Sequence, residues 1–381
     1  MRFLLVTLIT LVLTIAFFML IILPLLEEKV KPRPLPSKPY TKTTNPPATQ
    51  PASPQPKPTQ DEVKLPKPGP DPELLEKEKL LPETWINLKD NSTMMLVRAG
   101  TFFRGADEQR NHRAEYPKQK IFVSSFYIDK YPITNSQFRK FIAAGGYETP
   151  EYWTRLGWYS RRRLHWEKPA FWGHREYAGP DKPVVGISWF EAEAYMRWAG
   201  KMLPTEVQWE KAARGYYGQK YPWGHIKEFG DKWIKEACNW ADYDPNDIGP
   251  NRTRGCIDGW DKTASVFSYA KYLSPFGVAQ MSGNVWQWCR DWWSPTFFSK
   301  TVAENPRMRF NPVNTKPLSS QPWRVIKGGA FDMPPDYCEP SYRNGTSPQI
   351  RQSTTGCRGV LSALVVLQEI KKLQNNDDPD K

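Results

Sequence analysis

One proline-rich stretch of this chain is nearly free of aromatic side chains, and that contrast limits what the chain can fold into. Its 37 Pro are unevenly placed, against 17 Trp, 17 Tyr and 18 Phe. Residues 31–72 are rich in Pro, Lys, Thr and Gln and contain no aromatic residue except Tyr40. Such a stretch cannot bury enough apolar surface to offset its ordering entropy, and its prolines favour extended polyproline II. At about 3.1 Å per residue it is expected to act as a spacer on the order of 100 Å long. The folded part is expected to start near Trp85, where the aromatic load begins.

Ahead of this linker, residues 4–26 read LLVTLITLVLTIAFFMLIILPLL and carry no charge. As a helix rising about 1.5 Å per residue, the segment spans a hydrocarbon core of about 30 Å. It is longer than a signal-peptide core, and no small-x-small cleavage site or lipid-accepting Cys follows it, which predicts a retained single-pass signal anchor. Lys29, Lys31, Arg33, Lys38 and Lys42 follow the segment, and only Arg2 and the amino terminus precede it. Taken alone, that bias would hold the C-terminal side in the cytoplasm. The excess is small, however, and large domains translocate despite such flanks, so the folded domain is expected on the exported side. The expected division is an anchor over 1–27, a linker over 28–84, a folded domain over 85–368 and a polar tail over 369–381.

The formal charge of +13 is spread without a long basic run. This favours a solvated basic surface over a nucleic-acid site, which needs a concentrated stripe, and it is compatible with an anionic membrane or an envelope protein or peptide as partner. The five cysteines, Cys238, Cys256, Cys289, Cys338 and Cys357, form no CxxC pair, and there are only four His. Zinc ligation and a His-built relay are therefore not expected.

Three helices in the folded part share one construction. Thr134–Ala144 opens with Thr134 and Gln137 and carries Phe138, Phe141 and Ile142 on one face. Ser188–Gly200 opens with Ser188 and Glu191, followed by Trp189, Ala192, Tyr195, Met196 and Ala199. Thr205–Arg214 opens with Thr205 and Gln208, with Trp209, Ala212 and Ala213 inward. Each is a capping box followed by an apolar stripe. Strands are expected over Ile121–Ile128 and Arg324–Lys327, while much of 215–320 has neither period. A domain with so few regular elements must rely on aromatic packing, side-chain bonds to backbone and bound ions.

Four ordered stretches resemble the formylglycine-generating-enzyme, or sulfatase-modifying-factor, family. They are LVRAGTFFRGADE (96–108) with FYIDKYPITNSQFRKFI (126–142); KPVVGISWFEAEAYMRWAGKMLPTEVQWEKAARG (182–215) with YPWG (221–224); FGVAQMSGNVWQWCRDWW (276–293); and RVIKGGAF (324–331) with YR (342–343) and GCRGV (356–360). The resemblance covers roughly residues 90–368. It implies an α+β, C-type-lectin-like fold with sparse regular structure, preceded here by the transmembrane helix.

The namesakes of that family oxidise a substrate cysteine to formylglycine in sulfatases, using copper and oxygen, with two active-site cysteines binding Cu(I). Other members mature siderophores, act within sulfoxide-forming enzymes or serve in envelopes. The two family cysteines fall on Met333 and Cys338, and the serine after the glycine pair is Ala330. A thioether adds no charge and is a weaker donor than a thiolate, so copper is not expected. The resulting expectation is a non-copper binding or structural member. The alternatives are an oxygen-dependent formylglycine-generating oxidoreductase with a degenerate pair, working through Cys338 and Arg343, or another metal-dependent modifying enzyme.

For Cys338 a packed or disulfide-bonded role is the plainer expectation, while for Arg343 a buried ion pair stands level with a role meeting substrate or bracing the site. The resemblance also implies a structural calcium ion on Asn239, Trp240, Asp258 and Trp260. A weaker second set is Gln280, Gly283, Val285 and Gln287, which lacks the family's carboxylate. The cluster Trp286, Trp288, Trp292 and Trp293 reads as core rather than as a stacking platform.

Overall fold

The computed structural model describes residues 76–107, 113–224, 237–239, 259–299, 312–318, 320 and 322–376. The chain divides into residues 1–65 and 66–381, and every described residue belongs to the second unit. The apolar segment 4–26 and the proline-rich linker up to residue 75 lie outside the described residues. Among the described residues, no helix is long and apolar enough to cross a membrane.

Among the described residues, ten short strands form three sheets. Strands β1 (Thr84–Asn87), β2 (Ser92–Val97), β5 (Phe126–Asp129) and β10 (Val360–Ser362) make an antiparallel sheet in the order β1-β2-β5-β10. Met95 pairs with Ile128 and Val360 with Ile128, so the first and last strands of the domain share one sheet. A hairpin joins β3 (Gly100–Arg104) to β4 (Gln119–Val123). The third sheet, in the order β8-β7-β6-β9, comprises β6 (Trp286–Trp292), β7 (Arg324–Lys327), β8 (Asn344–Thr346) and β9 (Thr355–Gly356). Strand β9 runs parallel to β6.

The single strand expected over Ile121–Ile128 is two. Strand β4 ends at Val123 and β5 begins at Phe126 in a different sheet. Between them the Ser125 hydroxyl accepts a hydrogen bond from the Ala99 N–H at 2.6 Å, replacing ladder pairing at the crossing. Strand β7 matches its expected bounds.

Helices α1 (Asn135–Ala143), α3 (Trp189–Trp198) and α4 (Glu206–Arg214) are capped as expected, by Thr134 with Gln137, Ser188 with Glu191 and Thr205 with Gln208. In each, the cap hydroxyl accepts from the third helical N–H while the third side chain accepts from the cap N–H, satisfying two otherwise orphaned donors. Helix α3 is not the one-faced helix expected: Phe190, Glu191, Ala194 and Trp198 are buried along with the predicted stripe. Two helices were not anticipated, α2 (Arg155–Arg163), whose Arg-rich end hides its period, and α5 (Ala363–Asn376). Residues 369–376 thus continue a helix rather than forming a separate tail.

Aromatic packing holds α1 against α3. Phe138 stacks on Tyr195 with ring centroids 5.3 Å apart, and Phe141 meets Tyr195 and Trp198 edge-on, each at 5.8 Å. Trp209 of α4 joins a second core with Phe102, Ile121 and Val325 from β3, β4 and β7. Helix α5 lays Val366 and Leu367 on Met94, Leu96, Tyr127 and Leu361 of the first sheet.

Charge is buried with the aromatics. Lys201, just past α3, bridges Asp90 and Asp129 at 2.6 and 2.9 Å. Burial opposes the ammonium charge, yet the two carboxylates outweigh it and hold the Lys201 pKa above its ordinary value.

Asp291 on β6 accepts from the N–H groups of Glu206 and Asn314, at 2.8 and 2.9 Å. Burial, then the Glu206 charge, raises its pKa to about 7. The folded state therefore keeps this proton over a range, from about 3.8 upward, where the unfolded chain has released it. Stability linked to Asp291 is full below that range and is lost as pH rises toward 7, the reverse of the usual paired carboxylate. Replacing Asp291 with Asn is expected to lower baseline stability and to flatten the fall in melting temperature between pH 4 and 7. Parallel melting curves for the two proteins across that interval would remove Asp291 as the source.

Candidate functional site

The segment after β7 turns sharply to present Cys338. Gly328 and Gly329 have φ of 100° and 72°, a region that favours glycine. A Cβ at Gly329 would stand 2.5 Å from Cys338 Sγ and 2.8 Å from its Cα, so only glycine lets the returning turn approach this closely. The chain folds back through a Met333 N–H bond to the Ala330 carbonyl (2.9 Å) and enters a 3₁₀ turn over Pro335–Cys338. The Ser282 hydroxyl donates to the Cys338 carbonyl at 2.6 Å, fixing the end of that turn.

Cys338 is fully buried. Its thiol faces the Ala330 carbonyl at 4.0 Å. Burial pushes the thiol well above its ordinary range, and Cys238 and Asp332 add to this, while backbone groups of Ala330 and Gly283 pull the other way. A protonated thiol is neither a nucleophile nor a strong ligand.

Met333, at the other family sulfur position, packs into the same small cluster. So do Trp223 and Cys238, which the sequence reading did not associate with Cys338. Cys238, Cys289, Cys338 and Cys357 are all thiols in this structure, without disulfides.

Arg343 follows shortly after and is turned away from the sulfur cluster into a buried ion pair. Its Nε and Nη2 donate to the two oxygens of Glu206 at 2.6 and 2.8 Å. Its Nη1 donates to the carbonyls of Ala114 (2.8 Å) and Ser294 (3.2 Å). Four acceptors on one guanidinium make it a brace between α4, β6 and the β3–β4 connection.

Of the first calcium set, Asn239 and Trp260 are described, while Trp240 and Asp258 lie outside the described residues. Asn239 is buried, and its Nδ2 donates to the Lys262 carbonyl at 2.6 Å, which orients the amide. Its main-chain carbonyl accepts from the Asn284 N–H at 2.7 Å. Lys182 lies over the Trp260 ring at 5.3 Å.

The second set is brought together, but its oxygens are engaged. Gln280 Oε1 accepts from Asn284 Nδ2 at 2.7 Å. Gln287 Oε1 accepts from Trp209 Nε1 at 2.7 Å and from Arg358 Nε at 2.6 Å, and its Nε2 donates to the Gln280 carbonyl. The Gly283 carbonyl accepts from the Val285 N–H. A cationic guanidinium against Gln287 and the lack of any carboxylate do not fit a calcium ion, which takes six or more oxygens.

Trp286, Trp288 and Trp293 are buried, and Arg324 lies over the partly buried Trp292 ring at 3.5 Å. The cluster is packing, as read from the sequence. A concave surface lined by Asn135, Arg139, Phe171, Trp172, Tyr177 and Val185 contains none of the predicted site residues. No motif drew attention to it, because its lining comes from α1 and the irregular segment after α2.

The profile of the sulfatase-modifying factor enzyme 1-like domain matches residues 82–363. The chain is 31% identical over 287 residues to hercynine oxygenase of Mycolicibacterium smegmatis, which covers 70% of this chain and 60% of that protein. It is 33% identical over 299 residues to the formylglycine-generating enzyme of Thermomonospora curvata, covering 70% of this chain and 92% of that one. Among solved structures, PvdO from Pseudomonas aeruginosa superposes with a TM-score of 0.54 at 22% identity, over 73% of this chain and 97% of PvdO, a likeness of fold. The chain thus spans less than two thirds of the hercynine oxygenase and nearly all of the formylglycine-generating enzyme.

Proposed function

This chain belongs to the sulfatase-modifying factor enzyme 1-like family, and on that premise we propose that it is a membrane-tethered binding or structural member of the family rather than a formylglycine-generating oxidase. The observation that carries this reading is the sulfur pair. Met333 stands where the resemblance calls for a thiolate, and Cys338 is fully buried with its thiol pushed toward the protonated form. A Cu(I) centre needs anionic soft donors, and this donor set offers a thioether and a neutral thiol. The uncharged segment 4–26 supports the tether, with the proline-rich linker holding the domain away from an anionic surface on the exported side.

The test is direct. The full chain, supplied with Cu(I) and oxygen, is expected to leave a Cys-x-Pro-x-Arg peptide unconverted, followed by mass spectrometry. Aldehyde formation that disappears in Cys338→Ala would overturn the proposal. One observation favours that second reading: Cys238 brings another thiol into the cluster beside Cys338.

Calcium is proposed as a structural cofactor on Asn239, Trp240, Asp258 and Trp260. The buried, oriented amide of Asn239 supports this. An ion bound only by the folded state stabilises it by mass action, so chelation is expected to lower the melting temperature of the wild-type chain and leave Asp258→Ala unaffected. A wild-type chain indifferent to chelator would remove the site.

A further inference from the structure

We propose that Cys238 and Cys338 form a disulfide when the chain folds under oxidising conditions, stapling the Asn239 segment to the turn that follows the Gly328-Gly329 pair. Two sulfurs that are 100 positions apart in the sequence meet in one small cluster whose other members are Met333 and Trp223. Gly283 borders both cysteines. A Cβ built on it would stand 3.3 Å from Cys238 Cβ, and its backbone is beside the Cys338 sulfur. On the far side, the missing Cβ of Gly329 leaves the space that Cys338 Sγ occupies, 2.5 Å from where that Cβ would be. Two glycines with φ of 73° and 72° therefore border the two cysteines.

Of the remaining cysteines, Cys256 lies outside the described residues and the other two are placed elsewhere. Cys289 lies in the β6 core with Trp209 and Val325, and Cys357 lies in the aromatic core with Tyr195 and Trp198.

The reaction joins two thiols. Two S–H bonds are lost and one S–S bond forms, while two electrons and two protons pass to a low-molecular-weight disulfide or a dithiol–disulfide exchange protein, which leaves as two thiols. Burial dictates the timing. Both thiols are enclosed in the folded chain, out of reach of an oxidant, so closure occurs during folding and the product resists reduction afterwards. The bond closes a loop of about 100 residues, and its constraint on the unfolded chain grows with loop length. It also fixes the residue directly before Asn239, whose carbonyl and amide tie that segment to Asn284 and Lys262.

The full chain is produced in cells with an oxidising cytoplasm, blocked with N-ethylmaleimide in denaturant and digested without reductant. The expected result is a cross-linked peptide pair joining Cys238 to Cys338, with Cys256, Cys289 and Cys357 labelled. Labelling of both Cys238 and Cys338, or pairing of either with another cysteine, overturns the proposal. Melting supplies an independent reading. Reductant applied through the transition is expected to lower the melting temperature by about 5–15 °C, and the Cys238→Ala/Cys338→Ala double variant is expected not to respond. A wild-type chain that melts at the same temperature with and without reductant also overturns it. Absence of this bond leaves the copper-free reading standing, because that reading rests on Met333 at the other family sulfur position.

Discussion

Replacing Lys201 with Met is expected to be among the most damaging single changes in the domain, costing about 3–5 kcal/mol of stability. The Lys201 ammonium donates to Asp90 Oδ2 at 2.6 Å, to both oxygens of Asp129 at 2.9 and 3.0 Å and to Ser92 Oγ at 3.0 Å. All three charged side chains are out of contact with solvent. One cation shared by two carboxylates leaves them unequal: Asp90 is held below its ordinary range although burial opposes this, while burial keeps fully enclosed Asp129 above its own. Without the ammonium, two carboxyl groups face each other beside the Tyr195 hydroxyl, which already donates to Asp90 at 2.6 Å.

The expected loss approaches the whole stability of a marginal domain. Urea denaturation of Lys201→Met measures it. Lys201→Met combined with Asp129→Asn is expected to recover part of the loss, because it removes one of the stranded charges. A midpoint for the single variant within experimental error of wild type would show that the network is not stabilising.

The second large effect is expected at Arg343. Replacing it with Met strands the Glu206 carboxylate, which is buried yet held below its ordinary range because Arg343, Lys327 and Arg104 together outweigh the burial. The nearest remaining cation is Lys327 at 3.9 Å. Two backbone carbonyls, those of Ala114 and Ser294, lose their donor as well. A loss of about 3–5 kcal/mol is expected, and Arg343→Lys should recover little because an ammonium cannot reproduce the two parallel bonds to Glu206. Denaturation midpoints for the two variants and for Arg343→Met/Glu206→Gln provide the check. A variant of unchanged stability with altered ligand handling would return Arg343 to the substrate-contacting role considered from the sequence.

These two networks show where local reading of the chain stops. The capping boxes of α1, α3 and α4 were readable because cap and partner lie three residues apart, so the hydrogen bonds that start each helix are written in adjacent letters. Strand β7 was readable for the same reason, and the family resemblance was readable because it rests on contiguous stretches. The division of Ile121–Ile128 into β4 and β5 was not, since each half looks like a strand and only its partner, β3 or β2, decides which sheet it joins. Helix α3 carried an amphipathic pattern, yet it is enclosed on nearly every side by elements that arrive from elsewhere.

The site divides in the same way. Cys338, Met333, Asn239 and Arg343 were identified from their positions within motifs. What each one does depends on residues far away: Glu206 lies 137 positions from Arg343, and Cys238 lies 100 positions from Cys338. Sequence alone determined the family, the starts of the helices and the residue types available for chemistry, because those depend on neighbours in the chain. Only the tertiary structure decided that Arg343 is a brace and that Cys338 has a second thiol beside it. Buried charge and sulfur take their character from the side chains that exclude water around them, and the fold alone brings those side chains together.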